Sequence, residues 1–271
     1  MIQKSATVLG LLAACLTSDG AISLLSPTDE WTPLTSDYTE DMQASSSDLD
    51  LVGDINHSAV YTYFDATDNL LGFRFRVGGD QNPSGFSGQA WVGADVNSDG
   101  KLDIFIGAND AALTINYAGN GENISPSTTS IDNQSPFYST SVTGANYSWT
   151  PVTSITESTR TSVDIDGNLN SKNNSGIDYF LTIVVDFNSF ASAANGLAYI
   201  SGFDANSSIA YVVGTSTQGN SLNSDLGGVQ GNVSSSTTWL DLGAITTDLS
   251  MDGSPIPEPA ATSLLLGGLA G

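Results

Sequence analysis

The sequence predicts an all-β protein, a two-sheet β-sandwich of jelly-roll type, and three observations carry that prediction. Apolar and polar residues alternate with period two in several short stretches, as in Phe73, Phe75 and Val77 against Arg74 and Arg76. Helical periodicity is almost absent between residues 24 and 254. The acidic residues are twenty-four Asp and only five Glu, and Asp favours turns and metal loops where Glu favours helices. Abundant Gly, Ser, Thr and Asn point the same way.

The elements follow in order. Residues 60–64 form a β-branched and aromatic run, and 71–77 alternate cleanly, with the two arginines sharing the face opposite the apolar one. Further strands are expected at 89–94, 102–107, 113–117, 146–149, 161–165, 179–186, 198–203, 210–214 and 239–242. The run Tyr179-Phe180-Leu181-Thr182-Ile183-Val184-Val185 reads as a central strand buried along most of its length. One helical turn is expected at 189–194. Eleven or so short strands separated by polar loops make a sandwich. The stretches 26–47, 119–135 and 214–236 look weakly ordered, the last because large apolar residues are sparse in it. The β-domain is placed at 48–250, after a weakly ordered 24–47.

Both ends read as processing segments. Residues 1–23 carry Lys4, an apolar stretch and then small polar residues, the layout of a secretory signal peptide in helical form. Two cleavage readings remain open: an ordinary site at Ala21-Ile22-Ser23, or a lipobox at Leu12-Ala13-Ala14-Cys15. Cys15 is the only cysteine, so an internal disulfide is excluded. At the other end, Pro257, Glu258 and Pro259 close a stiff linker, 251–259, because proline cannot continue a helix or a central strand. Uncharged residues 260–271 follow as a short apolar helix. This tail resembles the PEP-CTERM sorting signal, whose family pattern is the Pro-Glu-Pro triplet, a membrane-spanning helix and an Arg-rich end. Twelve residues make about 18 Å of helix at 1.5 Å each, short of a bilayer core. The run is therefore expected to be truncated within the signal or, alternatively, to be a degenerate anchor from which the protein is released.

The resemblance implies export, secretion to the cell envelope of a Gram-negative-type bacterium, and transient membrane association through the C-terminal segment. It also implies processing by an exosortase-like membrane peptidase, with the protein as substrate and extracellular polysaccharide as a possible partner.

Charge narrows the partners. Six basic residues stand against 29 acidic ones, for a net charge of −23. That excludes nucleic acid and disfavours anionic membrane surfaces, and it favours cation binding or a saline exterior.

The best chemical motif is Asp95, Asn97, Asp99, Lys101 and Asp103, with Gly100 between the third and fourth. Oxygen side chains at positions 1, 3, 5 and 9 and Gly at 6 match the first nine places of a calcium loop, with the Lys101 backbone carbonyl at position 7. The segment resembles the DxNxDGxxD loops of dockerins, thrombospondin type-3 repeats and FG-GAP repeats. It departs from an EF-hand, since position 12 is Ile106 and the flanks read as strands. Asp99-Gly100 is also a hairpin turn signal that needs no metal. Three acids within nine residues repel one another, which favours calcium as the cofactor. A second set, Asp164, Asp166 and Asn168 with Asp178 downstream, offers a weaker metal site without standard spacing.

Catalytic patterns are lacking. His57, the sole histidine, reads as a surface residue, so neither a zinc triad nor a Ser-His-Asp triad is well supported. None of the five glutamates sits in the strand pattern of jelly-roll glucanases. Trp91 and Trp239 read as core, whereas Tyr138 and Tyr147, near polar loops, are candidates for stacking on a glycan. The expectation is a secreted, non-catalytic cell-surface or matrix protein. The alternatives are a calcium-dependent carbohydrate-binding module and, third, a secreted hydrolase.

Overall fold

In a computed structural model, residues 23–43, 46–54, 56–80, 85–155, 169 and 176–256 are described. The expected signal helix, the strand at 161–165, Asp164, Asp166, Asn168, Pro257, Glu258, Pro259 and the apolar tail lie outside them.

The fold is an all-β sandwich of two antiparallel sheets. One sheet has five strands in the order β1 (Thr32–Thr35), β2 (Val60–Asp65), β3 (Leu70–Val77), β9 (Tyr179–Asp186) and β8 (Tyr147–Pro151). The other has six, in the order β11 (Asp225–Leu226), β10 (Ala210–Ser216), β4 (Gln89–Asp95), β5 (Ile104–Ala108), β6 (Ala112–Tyr117) and β7 (Tyr138–Ser141). Among the described strands, consecutive ones mostly stay in the same sheet. The chain changes sheet after β3, β7 and β9.

Period-two alternation builds the core as the sequence predicts. Phe73, Phe75 and Val77 on β3 face inward with Ile183 and Leu181 of β9. Val92, Ile106 and Val213 of the second sheet pack into the same cluster. Full burial of each such side chain is worth about 1.5–3 kcal/mol.

The outer faces are covered too. Trp91, Phe105 and Val212 of the second sheet pack against Leu226, Val229, Val233 and Trp239. Gly107 lies directly opposite Trp91 on β5, and a Cβ there would meet the indole at 2.2 Å. Only glycine leaves that ring its space. On the first sheet, Tyr61 and Phe180 pack against Trp31, Val152 and Ile155.

Several expectations change. Residues 239–242 form a short helix, α2 (Trp239–Leu242), not a strand. Thr238 caps it by accepting from Asp241 N at 3.2 Å, and Gly243 ends it in the left-handed region at φ 72°. Local capping outweighs an ambiguous apolar run. The strand expected at 198–203 is irregular, because Asn195 takes its place as a partner. The Asn195 side chain accepts from Phe203 N at 2.9 Å and donates to Phe203 O at 2.8 Å. The expected helical turn extends to a full helix, α1 (Phe187–Gly196), capped by Asp186 and buried through Phe187, Phe190, Ala193 and Ala194.

The described parts of the stretches read as weakly ordered carry structure. Residues 26–43 include β1, an edge strand that tolerates Pro33. Segment 119–135 is tied by reciprocal Ser125 and Thr128 bonds. Segment 214–236 supplies β11 and the buried Leu222, Leu226, Val229 and Val233, sparse apolar residues that all point inward. His57 is not at the surface: it is 8% exposed, with Nδ1 2.9 Å from Asp54 Oδ1.

Candidate functional site

The motif from Asp95 to Asp103 closes the β4–β5 hairpin, since Ala94 pairs with Ile104. Ser98 and Gly100 take positive φ values of 60° and 81°, which brings the loop's amides round toward Asp95. Asp95 Oδ2 accepts from Gly100 N at 2.7 Å, and its Oδ1 accepts from Asn97 N at 3.2 Å and Asp99 N at 3.3 Å. Asp103 Oδ2 accepts from Val96 N at 3.0 Å, and its Oδ1 accepts from the Tyr199 hydroxyl at 2.7 Å. Lys101 keeps its ammonium outside, 4.0 Å from Asp99 Oδ2.

The loop gathers buried negative charge at Asp95 and Asp103. Burial, opposed by loop amides and reinforced by neighbouring Asp99, raises the Asp95 carboxyl above its ordinary value. Asp103 is raised by burial and by Asp95 and Asp99, although Val96 N and the Tyr199 hydroxyl pull the other way. Tyr199 is itself pushed up, first by desolvation and then by its bond to Asp103. These oxygens suit a hard cation, because a carboxylate oxygen already accepting an amide keeps another lone pair. The residue types match such a donor set, but Asp95, Asp99 and Asp103 do not bring one carboxylate oxygen each to within 4.8 Å of one another.

Beside the loop opens a cleft of about 530 Å³, lined by Asp103, Tyr117, Glu122, Asn123, Leu197 and Tyr199 among others. Tyr199 is 62% exposed on its wall. Sequence reasoning missed this tyrosine because it belongs to the segment expected to be a strand. It reaches Asp103 across 96 residues of chain.

The other candidates fall elsewhere. Tyr138 and Tyr147 are half-buried and pack against the core between the sheets. The Tyr147 hydroxyl accepts from Phe86 N at 2.9 Å, which ties that ring's outer end to the chain. Trp91 and Trp239 are core residues, as expected. Asp178 is buried at the end of β9, where Arg76 and Leu169 N hold its Oδ2 at 2.7 and 2.9 Å.

A further acidic group was not foreseen. Asp37, Asp41 and Asp225 bring one carboxylate oxygen each to within 4.8 Å of one another, which no other three acidic, His or Cys side chains do among the described residues. Asp37 and Asp41 follow β1, and Asp225 sits on β11. The only hint in the sequence is the four-residue spacing of the first two. No helix among the described residues is long and apolar enough to cross a membrane. No known protein family, characterised protein or solved structure matches the chain.

Proposed function

We propose that this is a secreted, non-catalytic β-sandwich protein of the cell surface or extracellular matrix, stabilised by calcium at the β4–β5 loop. The observation that carries the calcium reading is the loop itself. Asp95 and Asp103 are 2% and 4% exposed at its two ends, with Asn97 and Asp99 between them. Like-charged carboxylates held this way are more stable with a cation than without one. Asp95, Asn97, Asp99, the Lys101 carbonyl and Asp103 would supply the oxygens, and the ion would neutralise the loop's charge. Export rests on the N-terminal signal pattern and on the Pro257, Glu258, Pro259 tail, which makes an exosortase-like peptidase the processing partner. Fractionation of expressing cells tests that part, and retention in the cytoplasm would overturn it.

A second reading, calcium-dependent carbohydrate binding, is favoured by the cleft beside the loop. An exposed Tyr199 ring next to Asp103 and Asn123 offers the stacking surface and polar groups that a sugar needs. Melting curves with and without calcium test the loop in wild type and in Asp99→Asn. Calcium is expected to raise the melting temperature of the wild type by more than that of the variant. Equal shifts would leave the loop as a plain turn. Glycan-array binding that disappears in Tyr199→Ala would support the second reading.

A further inference from the structure

We infer that Asp37, Asp41 and Asp225 form a second, buried site for a calcium-type divalent cation, one that staples the edges of the two sheets together. The site is independent of the β4–β5 loop and of the function proposed from it.

β1 is an edge strand of the five-stranded sheet and β11 an edge strand of the six-stranded one. The segment after β1 crosses to β11, with Gln43 N donating to Ser224 O at 2.7 Å. Backbone amides aim the carboxylates: Gly228 N donates to Asp37 Oδ1 at 3.2 Å, and Gly231 N to Asp41 Oδ2 at 2.7 Å. On the far side, Leu51 N donates to Asp225 Oδ2 at 2.7 Å. Three oxygens within 4.8 Å of one another can share one ion at calcium's metal–oxygen distances of about 2.3–2.6 Å.

A separate observation points to a ligand. Asp37 is 7% exposed, and its Oδ2 is buried with no hydrogen-bond partner among the described residues. A buried carboxylate oxygen left without a donor is costly, and a metal ion removes that cost. Asp225 is fully buried, and Asp50, also buried, adds to the negative potential around it. The described cationic side chains serve other places. Arg74 donates to Thr182 and Ser26, Arg76 pairs with Asp178, and Lys101 faces Asp99. An all-carboxylate donor set selects a hard cation over zinc or copper, which favour nitrogen and sulfur. Burial and mutual repulsion push the Asp37 and Asp225 carboxyls well up.

Calorimetric titration of the full chain with calcium chloride tests the site, using wild type, Asp37→Asn, Asp225→Asn and Asp99→Asn. Asparagine keeps the shape and, at position 37, the one oxygen that accepts Tyr38 N and Gly228 N, so Asp37→Asn is expected to fold in EDTA at least as stably as wild type. Asp225→Asn gives up one of its two amide acceptances, to Leu51 N or Leu226 N, and is expected to be less stable. Each is expected to lose one equivalent of calcium, or to bind it at least about tenfold more weakly. Asp99→Asn is expected to retain this equivalent whether or not the loop binds one of its own. Calcium binding and calcium-induced melting shifts in Asp37→Asn and Asp225→Asn indistinguishable from wild type would overturn the proposal. So would EDTA stability of Asp37→Asn lower than wild type, since that carboxylate would then be a structural acceptor and not a ligand. Magnesium titrated in parallel separates a calcium-selective site from one open to either ion.

Discussion

The guanidinium of Arg76 on β3 lies 2.7 Å from the carboxylate of Asp178, and both side chains are buried on the outer side of the five-stranded sheet. The arginine Nε also donates to the same oxygen at 2.8 Å. The acid therefore has a structural partner in the chain.

Removing half of that pair leaves a buried charge without its counter-charge. Asp178→Ala is expected to cost about 3–5 kcal/mol, read as a lower urea midpoint at unchanged slope. The double change Arg76→Met with Asp178→Leu is expected to recover most of the loss, because neither charge of the pair then remains buried. A double variant as unstable as the single would show that the site's shape matters more than its charge.

Gly107 and Trp91 make the second case. Gly107→Ala forces a methyl into the indole at 2.2 Å, and both residues are held by the β4–β5 register. The expected cost is about 1–3 kcal/mol, as for overpacking elsewhere, with a change in tryptophan fluorescence. Gly100→Ala meets no atom of the described residues within 4 Å but must hold φ near 81°. Its expected cost is about 1 kcal/mol, from backbone strain alone.

The sheet faces were legible in the sequence because a period of two is read directly from neighbouring residues. Phe73, Phe75 and Val77 go inward and Arg74 and Arg76 outward, as the alternation requires. That the arginines would be buried was not legible. Arg74 lies under Trp31, 4.4 Å from the ring centroid, and Trp31 comes from a segment with no regular pattern. The β4–β5 loop announces itself because its oxygens are contiguous. The Asp37, Asp41 and Asp225 group does not, since its members meet only after two sheet edges come together. Capping, too, is local information that hydrophobic patterning hides: Thr238 and Gly243 decide for a helix where the apolar run permits a strand.

Tyr199 separates packing from recognition. Its ring is 62% exposed while its hydroxyl holds Asp103, so Tyr199→Phe and Tyr199→Ala remove different things. Tyr199→Phe is expected to leave sugar stacking intact and to change calcium affinity at the loop. Tyr199→Ala is expected to abolish glycan binding with less than about 1 kcal/mol change in stability, as for an exposed side chain. Loss of binding in both variants would assign the role to the hydroxyl and not to the ring.

Stability in EDTA has a pH dependence whose direction follows from the buried acids. Asp37 is raised well above 3.8 by burial and by Asp225 and Asp41, and Asp225 by burial and by Asp41 and Asp50. Asp95 and Asp103 are raised too, first by burial. A carboxyl raised in the folded state binds its proton more tightly there than in the unfolded chain. Its contribution is fully present below about 3.8 and is lost as pH rises through the raised value. Asp252 runs the other way: the Ser250 hydroxyl and Ser254 N lower it, so its contribution is present above 3.8 and lost in stronger acid. Being largely exposed, it weighs less than the buried four. The melting temperature in EDTA is therefore expected to rise on acidification from neutral pH, until the ordinary carboxylate range is reached. Saturating calcium is expected to flatten that rise by stabilising the ionised carboxylates, and Asp37→Asn with Asp225→Asn to reduce it in EDTA. A melting temperature in EDTA that falls steadily from pH 7 to 5 would show that the buried carboxylates are held ionised by donors alone.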